Sequence, residues 1–244
     1  MSSIKLTPEH LRWINERLAA VDPAKILEWS AFTLPQLVQV TSFGPTGMVI
    51  LDLLHRRGVR LPVIFIDTLH HFPETLEHVE QARRKYDLDL HVYRCREAAN
   101  RAEFEARFSP DLWKKEPDRY DFLAKVEPQR RALRELDAHA WITGRRRSQG
   151  GDRTQMPVLE YDTSGRLKVN PLAYWGYTET WAYLRQNSVP YNALHDKGYK
   201  SVGDVMTTTP ASEDESERAG RWRGSGKTEC GLHLDDIPDP SSQL

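Results

Sequence analysis

Cysteine is scarce in this chain. Two thiols, Cys95 and Cys230, among 244 residues exclude a disulfide scaffold, and they cannot by themselves complete a four-cysteine zinc or iron–sulfur site. Net charge is equally scarce: 34 Lys and Arg against 35 Asp and Glu leave −1, so bulk electrostatics calls for neither nucleic acid nor an anionic membrane surface. Long apolar runs are also missing. The most apolar stretch, Trp29 to Leu54, is broken by Pro35, Gly44, Pro45 and Gly47 before it could span a bilayer, and the opening MSSIKLTPEH is polar. A cytoplasmic protein with no nucleic-acid or membrane partner is the expectation. There is no internal repeat and no long low-complexity tract, and the loop Ser42–Gly47 is neither Walker A nor GxGxxG.

What is present reads as alternating strands and helices. Thr7-Pro8-Glu9 supplies an N-cap, a first-turn proline and an acid, with Leu11, Ile14 and Leu18 recurring at helical spacing; Asp22-Pro23 repeats the device before Ile26, Leu27 and Phe32. The run Leu37–Thr41 predicts a strand, Ser42–Gly47 a loop, and Met48–Leu54 a helix closed by Gly58. The unit repeats with a strand over Val63–Ile66, a loop from Asp67 to Phe72, a helix starting at Pro73-Glu74 and a strand over Leu90–Tyr93. Parallel βαβ units follow. Helical patterning from Pro117 to Leu136 is interrupted at Glu127-Pro128, and Ala140–Thr143 is a further strand. Val158–Tyr161 and Leu167–Val169 flank a turn at Asp162–Gly165, a hairpin, and a helix over about 178–187 follows. From Thr207 to Gly226 the chain is almost devoid of apolar residues, as a mobile or substrate-ordered tail would be.

Several clusters bear on chemistry. The loop SFGPTG lies between a strand and a helix, where backbone N–H groups and the helix end can hold a phosphate or sulfate; by spacing alone it is as readily an ordinary βα turn. Arg145, Arg146, Arg147 and Arg153 follow a strand, at the sheet edge where ligands bind, and guanidinium forks match phosphate oxygens. At least one of the three adjacent arginines is expected to face bulk water. Asp67-Thr68-Leu69-His70-His71 offers metal-ligand types, but adjacent histidines point apart, so hydrogen bonding to a ligand or the backbone is preferred and no metal is expected. Cys95, at a strand end, reads as a structural thiol. Cys230 differs: Arg218, Arg221, Arg223 and Lys227 precede it and His233 follows, the cationic setting that a thiolate nucleophile needs; by spacing alone it is as readily an incidental cysteine on a solvated basic tail.

Read together, SFGPTG, IDTLHHFPET, KVEP, GRRRSQGGDR, ERAGRW and KTECGLH resemble the 3′-phosphoadenylyl-sulfate (PAPS) reductases nearly from end to end. The resemblance implies an adenine nucleotide α-hydrolase-like α/β fold, a parallel sheet with helices on both faces, and a mobile C-terminal catalytic tail. The corresponding division is N-terminal helices over 1–34, a nucleotide-binding domain over 35–203 and a tail over 204–244. It also implies that Cys230 is the catalytic thiol. Substrate binding falls to Ser42, Phe43, Gly44 and Gly47 in the loop, to Asp67 and Thr68, to Lys125, Arg145 and Arg153, and to Arg218, Arg221 and His233 near the tail. Gly220, Gly224 and Gly226 are the expected hinges. Relatives that reduce adenylyl sulfate (APS) carry extra cysteines for a [4Fe–4S] cluster; Tyr120–Ala124 before KVEP holds none, which implies PAPS as substrate, no bound cofactor, and thioredoxin or glutaredoxin as electron donor to a homodimer. An APS reductase, an ATP-using relative such as an ATP sulfurylase subunit, and a non-catalytic nucleotide-binding redox sensor stand as alternatives.

Overall fold

A computed structural model of the chain describes residues 5–223. The N-terminal caps form as the sequence dictates. The Thr7 hydroxyl accepts the His10 N–H at 3.2 Å to start α1 (Pro8–Leu18), and Asp22 accepts the Ala24 N–H at 2.9 Å to start α2 (Pro23–Thr33). Strands β1 (Leu37–Val40), β2 (Val63–Ile66) and β3 (Leu90–Tyr93) alternate with α3 (Pro45–Arg56) and α4 (Pro73–Tyr86). After the short helices α5 (Arg101–Phe108), α6 (Leu112–Lys115), α7 (Pro117–Asp121) and then α8 (Glu127–Glu135) come β4 (Ala140–Ile142), β5 (Leu159–Tyr161), β6 (Leu167–Val169) and α9 (Tyr177–Gln186). No helix among the described residues is long and apolar enough to cross a membrane.

The strands form one sheet in the order β3-β2-β1-β4-β6-β5. β1, β2, β3, β4 and β6 are parallel; β5 alone runs antiparallel, against β6. The sheet is therefore mixed rather than purely parallel. The reversal is local chemistry: Asp162 accepts the N–H groups of Ser164 and Arg166, and Gly165 takes φ +81°. Strand alternation sends Leu37, Val63, Phe65, Ala140 and Ile142 to one core, with α2, α3 and α9 residues, and Val38, Ile64, Ile66 and Trp141 to the other, with Ala132 and Leu133 of α8. Helices on both faces are thus present, as the pattern requires.

One sequence expectation changes form. Glu127-Pro128 reads as an interruption, yet the helical run continues through it by way of a π turn over Phe122–Val126. Proline has no N–H to donate and its ring crowds the carbonyl four residues back, so the ladder widens and the Glu127 N–H reaches the Phe122 carbonyl instead. This turn presents Lys125, which is 5% exposed.

Burial lowers the pKa of His70 and of His78, 2% and 4% exposed, below the ordinary 6.5. As pH falls, the unfolded chain takes up these protons first, so their stabilising contribution is complete above about pH 6.5 and declines from there toward the folded-state values. Thermal unfolding should give a lower Tm at about pH 5.5 than at about pH 7.5, and His78→Gln should shrink the difference. Equal Tm values for the wild-type chain at both pH values would show that these imidazoles ionise freely in the fold.

Candidate functional site

The chain passes from β1 to β2 and β3 on one side and to β4 and β6 on the other, so the loops after β1 and β4 part at this switch point. A cleft of ≈ 200 Å³ opens there, between the loop after β1, the loop after β2, the loop after β4, and the chain from Lys200 to Trp222.

Local backbone geometry builds the first wall. Phe43 takes φ +57° with its N–H bonded to the Thr41 hydroxyl at 3.0 Å, and its ring turns inward, edge-on to Phe65 at 5.7 Å. Ser42 and Gly44 are left at the cleft, and the α3 N-terminus behind them carries the positive end of the helix dipole. A side chain at Gly47 would run into the Thr41 hydroxyl. One at Gly144 would meet the Thr46 hydroxyl at 2.8 Å and the Gly47 nitrogen at 3.2 Å, so both loops approach as only glycine permits.

The opposite wall is cationic. Lys125, Arg145, Arg153, Lys200, Arg218 and Arg221 line the cleft. On its π turn Lys125 meets Asp121 Oδ1 at 3.0 Å and Asp204 Oδ2 at 2.8 Å. Asp204 Oδ1 accepts the Thr68 hydroxyl at 2.7 Å. Burial alone would raise the Asp204 pKa, but Lys125, His71 and the Thr68 hydroxyl outweigh it and hold the carboxyl below the ordinary carboxylate range. Burial, aided by the Asp204 charge, drives the Tyr120 phenol well above its usual value. His71 stacks on Phe65 and donates Nε2–H to the Ile66 carbonyl at 3.1 Å, while His70 turns into the Phe104–Tyr120 aromatic cluster. The two histidines do point apart.

The described part of the polar segment is folded against this site. Thr209 N–H bonds Gly220 O at 2.9 Å and Trp222 N–H bonds Thr207 O at 2.8 Å, closing a narrow strap. Lys200 Nζ donates to the Glu213 and Glu215 carbonyls, both at 2.7 Å, and Arg146, 1% exposed, holds both Glu217 carboxylate oxygens at 2.6 Å. Arg221 donates to the Val202 carbonyl at 3.2 Å, and the guanidinium groups of Arg218 and Arg221 lie over Trp222. Charge and carbonyl contacts attach this strap, together with the buried Trp222 at its end, which is 7% exposed. Gly220 is packed within it: a side chain there would collide with the Thr209 carbonyl, and its own carbonyl accepts the Thr209 N–H.

Of the sequence-predicted ligands, Ser42, Gly44, Gly47, Thr68, Lys125, Arg145, Arg153, Arg218 and Arg221 converge on the cleft. Arg145 also turns toward Asn170 and Glu160 behind it. Phe43 and Asp67 do not line it: Phe43 is spent on the core, and Asp67 accepts the Leu69 N–H at 2.9 Å, shaping the loop that places Thr68. Arg145 and Arg146 are buried, while Arg147 is half-buried at the surface, stacked on the exposed Tyr174 ring and donating to the Met156 carbonyl. Cys230, His233, Gly224 and Gly226 lie outside the described residues. Cys95 is buried among Phe104, Leu112 and Tyr120, with its thiol pKa raised by desolvation, as suits a structural thiol. The sequence reading missed Asp204, Lys200 and Glu217, and it set Arg146 among phosphate-matching arginines where the structure pairs it with Glu217. A glycine-rich helix start facing six cations can hold a substrate bearing more than one oxyanion.

Residues 36–210 match the family of the phosphoadenosine phosphosulfate reductase domain. The chain is 52% identical over 227 residues to a probable phosphoadenosine phosphosulfate reductase of Schizosaccharomyces pombe, covering 93% of this chain and 85% of that one. An adenosine 5′-phosphosulfate reductase of Oceanobacillus iheyensis is 37% identical over 87% of this chain and 88% of its own. Among solved structures, a phosphoadenylyl-sulfate reductase of Candida auris in a phosphate complex superposes with a TM-score of 0.79 at 42% identity, over 85% of this chain and 100% of that one.

The contact between Gly47 and Thr41 yields a direct test. Gly47→Ala should destabilise the fold by about 1–3 kcal/mol through overpacking, read by thermal or denaturant unfolding. Adding Thr41→Ala should recover part of the loss. If the double variant is no better than the single one, the Thr41 hydroxyl is not what excludes a side chain there.

Proposed function

The chain belongs to the phosphoadenosine phosphosulfate reductase domain family, and on that premise we propose that it reduces 3′-phosphoadenylyl sulfate to sulfite and adenosine 3′,5′-bisphosphate in sulfate assimilation. The observation that carries this reading is the convergence of Lys125, Arg153, Arg218 and Arg221 with the α3 N-terminus on one cleft at the switch point, a complement for a substrate with several anionic groups.

The reaction needs a nucleophile, and the reading assigns it to Cys230. Its thiolate attacks the terminal sulfur of the substrate; a sulfur–sulfur bond forms, the bond from that sulfur to the bridging oxygen breaks, and adenosine 3′,5′-bisphosphate leaves. An ordinary thiol with a pKa of about 8.5 is only ~3% ionised at neutral pH. Cationic side chains around the cleft have two tasks: they favour the thiolate and neutralise charge that would otherwise keep two anions apart. A reduced thioredoxin or glutaredoxin then attacks Cys230 Sγ, sulfite departs with the bonding electrons, and the donor's second thiol closes its own disulfide, freeing the Cys230 thiolate. The strap supports this division of labour, because it fixes Arg218 and Arg221 at the cleft while the chain beyond it carries the thiol.

A second reading, reduction of adenylyl sulfate, is favoured by the likeness to the bacterial enzyme. The cysteine count weighs against it where that activity depends on a four-cysteine cluster, since Cys95 and Cys230 are the chain's two thiols. Sulfite release from each nucleotide, with reduced thioredoxin, thioredoxin reductase and NADPH, separates the two. Release from the 3′-phosphorylated substrate alone is expected, and release from neither would end the reductase reading.

Cys230→Ser should abolish sulfite release while still binding adenosine 3′,5′-bisphosphate in a calorimetric titration; residual turnover near the wild-type rate would remove Cys230 from the mechanism. Arg221→Ala should weaken that binding by on the order of tenfold, as loss of a charge-assisted contact to phosphate does. Unaltered affinity would confine Arg221 to holding the strap.

A further inference from the structure

The cleft collects cations, yet a carboxylate sits at its floor. Asp204 is 2% exposed and remains ionised against its own desolvation. In a site that receives an anionic substrate, an unneutralised carboxylate would repel it, so the contacts Asp204 makes decide whether it hinders or helps. They are specific. One oxygen accepts the Thr68 hydroxyl at 2.7 Å from the end of β2, and the other meets Lys125 Nζ at 2.8 Å. Asp121, on the same helical run as Lys125, meets that ammonium at 3.0 Å, and the Tyr120 ring lies 5.0 Å beneath it. The Asp204 backbone is equally engaged: it bridges His71, and the next residue, Val205, donates to the His70 carbonyl at 2.9 Å. Asp204 therefore joins three parts of the chain, namely the loop after β2, the π turn, and the root of the strap that delivers Arg218 and Arg221.

A lysine is a flexible four-carbon stem ending in a point charge, so its head has no preferred direction of its own. Asp121 lies four residues away on the same helical run and restrains the ammonium only from its own element. Asp204 restrains it from a separate segment, the root of the strap. We propose that Asp204 is a positioning residue for the reaction: it holds the Lys125 ammonium at the place where it meets the anionic end of the nucleotide substrate, and it does so through Lys125. This rests on the functional reading above. The proposal goes beyond that reading in giving a buried acid a constructive part in binding an anion.

The test is a double-mutant cycle read by calorimetric titration with adenosine 3′,5′-bisphosphate, using Asp204→Asn, Lys125→Met and the pair. The amide introduced by Asp204→Asn keeps the shape and the acceptor for Thr68 while removing the charge that draws in the ammonium. Circular dichroism and thermal unfolding identify the variants that fold. In the wild-type background Asp204→Asn should weaken binding by roughly tenfold, the order of a buried charge-assisted contact. In the Lys125→Met background the same change should alter affinity by less than about twofold, because a residue that acts through Lys125 has nothing left to act on. Equal losses in both backgrounds, or no loss in either, would overturn the proposal; so would a gain in affinity in the wild-type background, which would mark Asp204 as a repulsive charge. Should Asp204→Asn fail to fold, Asp204→Ser, which removes the same charge with a smaller side chain, enters the cycle in its place with the same expected pattern. A wild-type chain that binds no nucleotide overturns the functional reading and this proposal with it, whereas a wild-type chain that binds, combined with an additive cycle, overturns the proposal alone.

Discussion

The close approach of two loop backbones, one after β1 and one after β4, is the constraint on which the site depends. Gly144 stands where any side chain would press on Thr46 and the Gly47 nitrogen. Because β1 and β4 are neighbours whose following segments diverge, a gap opens above them, and it is narrow because both lips are bare backbone there. The helix start at α3 then faces across this gap toward residues supplied by four other stretches of chain. Widening the contact by one methyl group would displace the dipole end and the Thr143–Arg145 turn together, and every cation beyond them.

The second organising feature is a misfit that the fold uses. Proline at position 128 cannot complete an α-helical ladder, and the ladder answers by opening a π turn one residue wide. Lys125 occupies that turn, between a carboxylate of its own helical run and one from the distant root of the strap. Ion pairs with this little exposure do little for net stability, because desolvation offsets attraction. Their value is directional, in giving a flexible side chain one place to be.

Much of the fold was legible in the sequence because its signals are local. Thr7-Pro8 and Asp22-Pro23 announce helix starts within three residues, the β-branched runs at 37–41 and 63–66 announce buried strands, and Asp162–Gly165 announces the turn that reverses β5. The glycine loop and the basic residues at 125, 153, 218 and 221, which residue type alone picks out, do lie together on one cleft. What escaped was pairing at a distance. Glu217 lies 71 positions from Arg146, and Asp204 lies 136 from Thr68; neither acid is unusual among its neighbours, and nothing along the chain says that they meet. Phe43 and Asp67 failed in the opposite direction. Both occupy the correct loops, but the φ +57° turn sends the Phe43 ring inward, and a two-residue turn spends the Asp67 carboxylate on its own backbone. The strap, read as a tail because it has almost no apolar residues, is held by Arg146, Lys200 and paired carbonyls, which hydropathy does not register, and by the single buried Trp222.

The Arg146–Glu217 clamp has one further consequence. It is made entirely of protein groups, and so stands before any ligand arrives. The freedom of the strap is therefore surrendered during folding and not at the moment of encounter, which leaves less ordering to oppose association. A cationic mouth assembled in advance also attracts an oppositely charged solute from beyond contact range, so capture should be fast and weakly dependent on the ligand's fine structure. Discrimination among similar nucleotides then falls to how long each one stays.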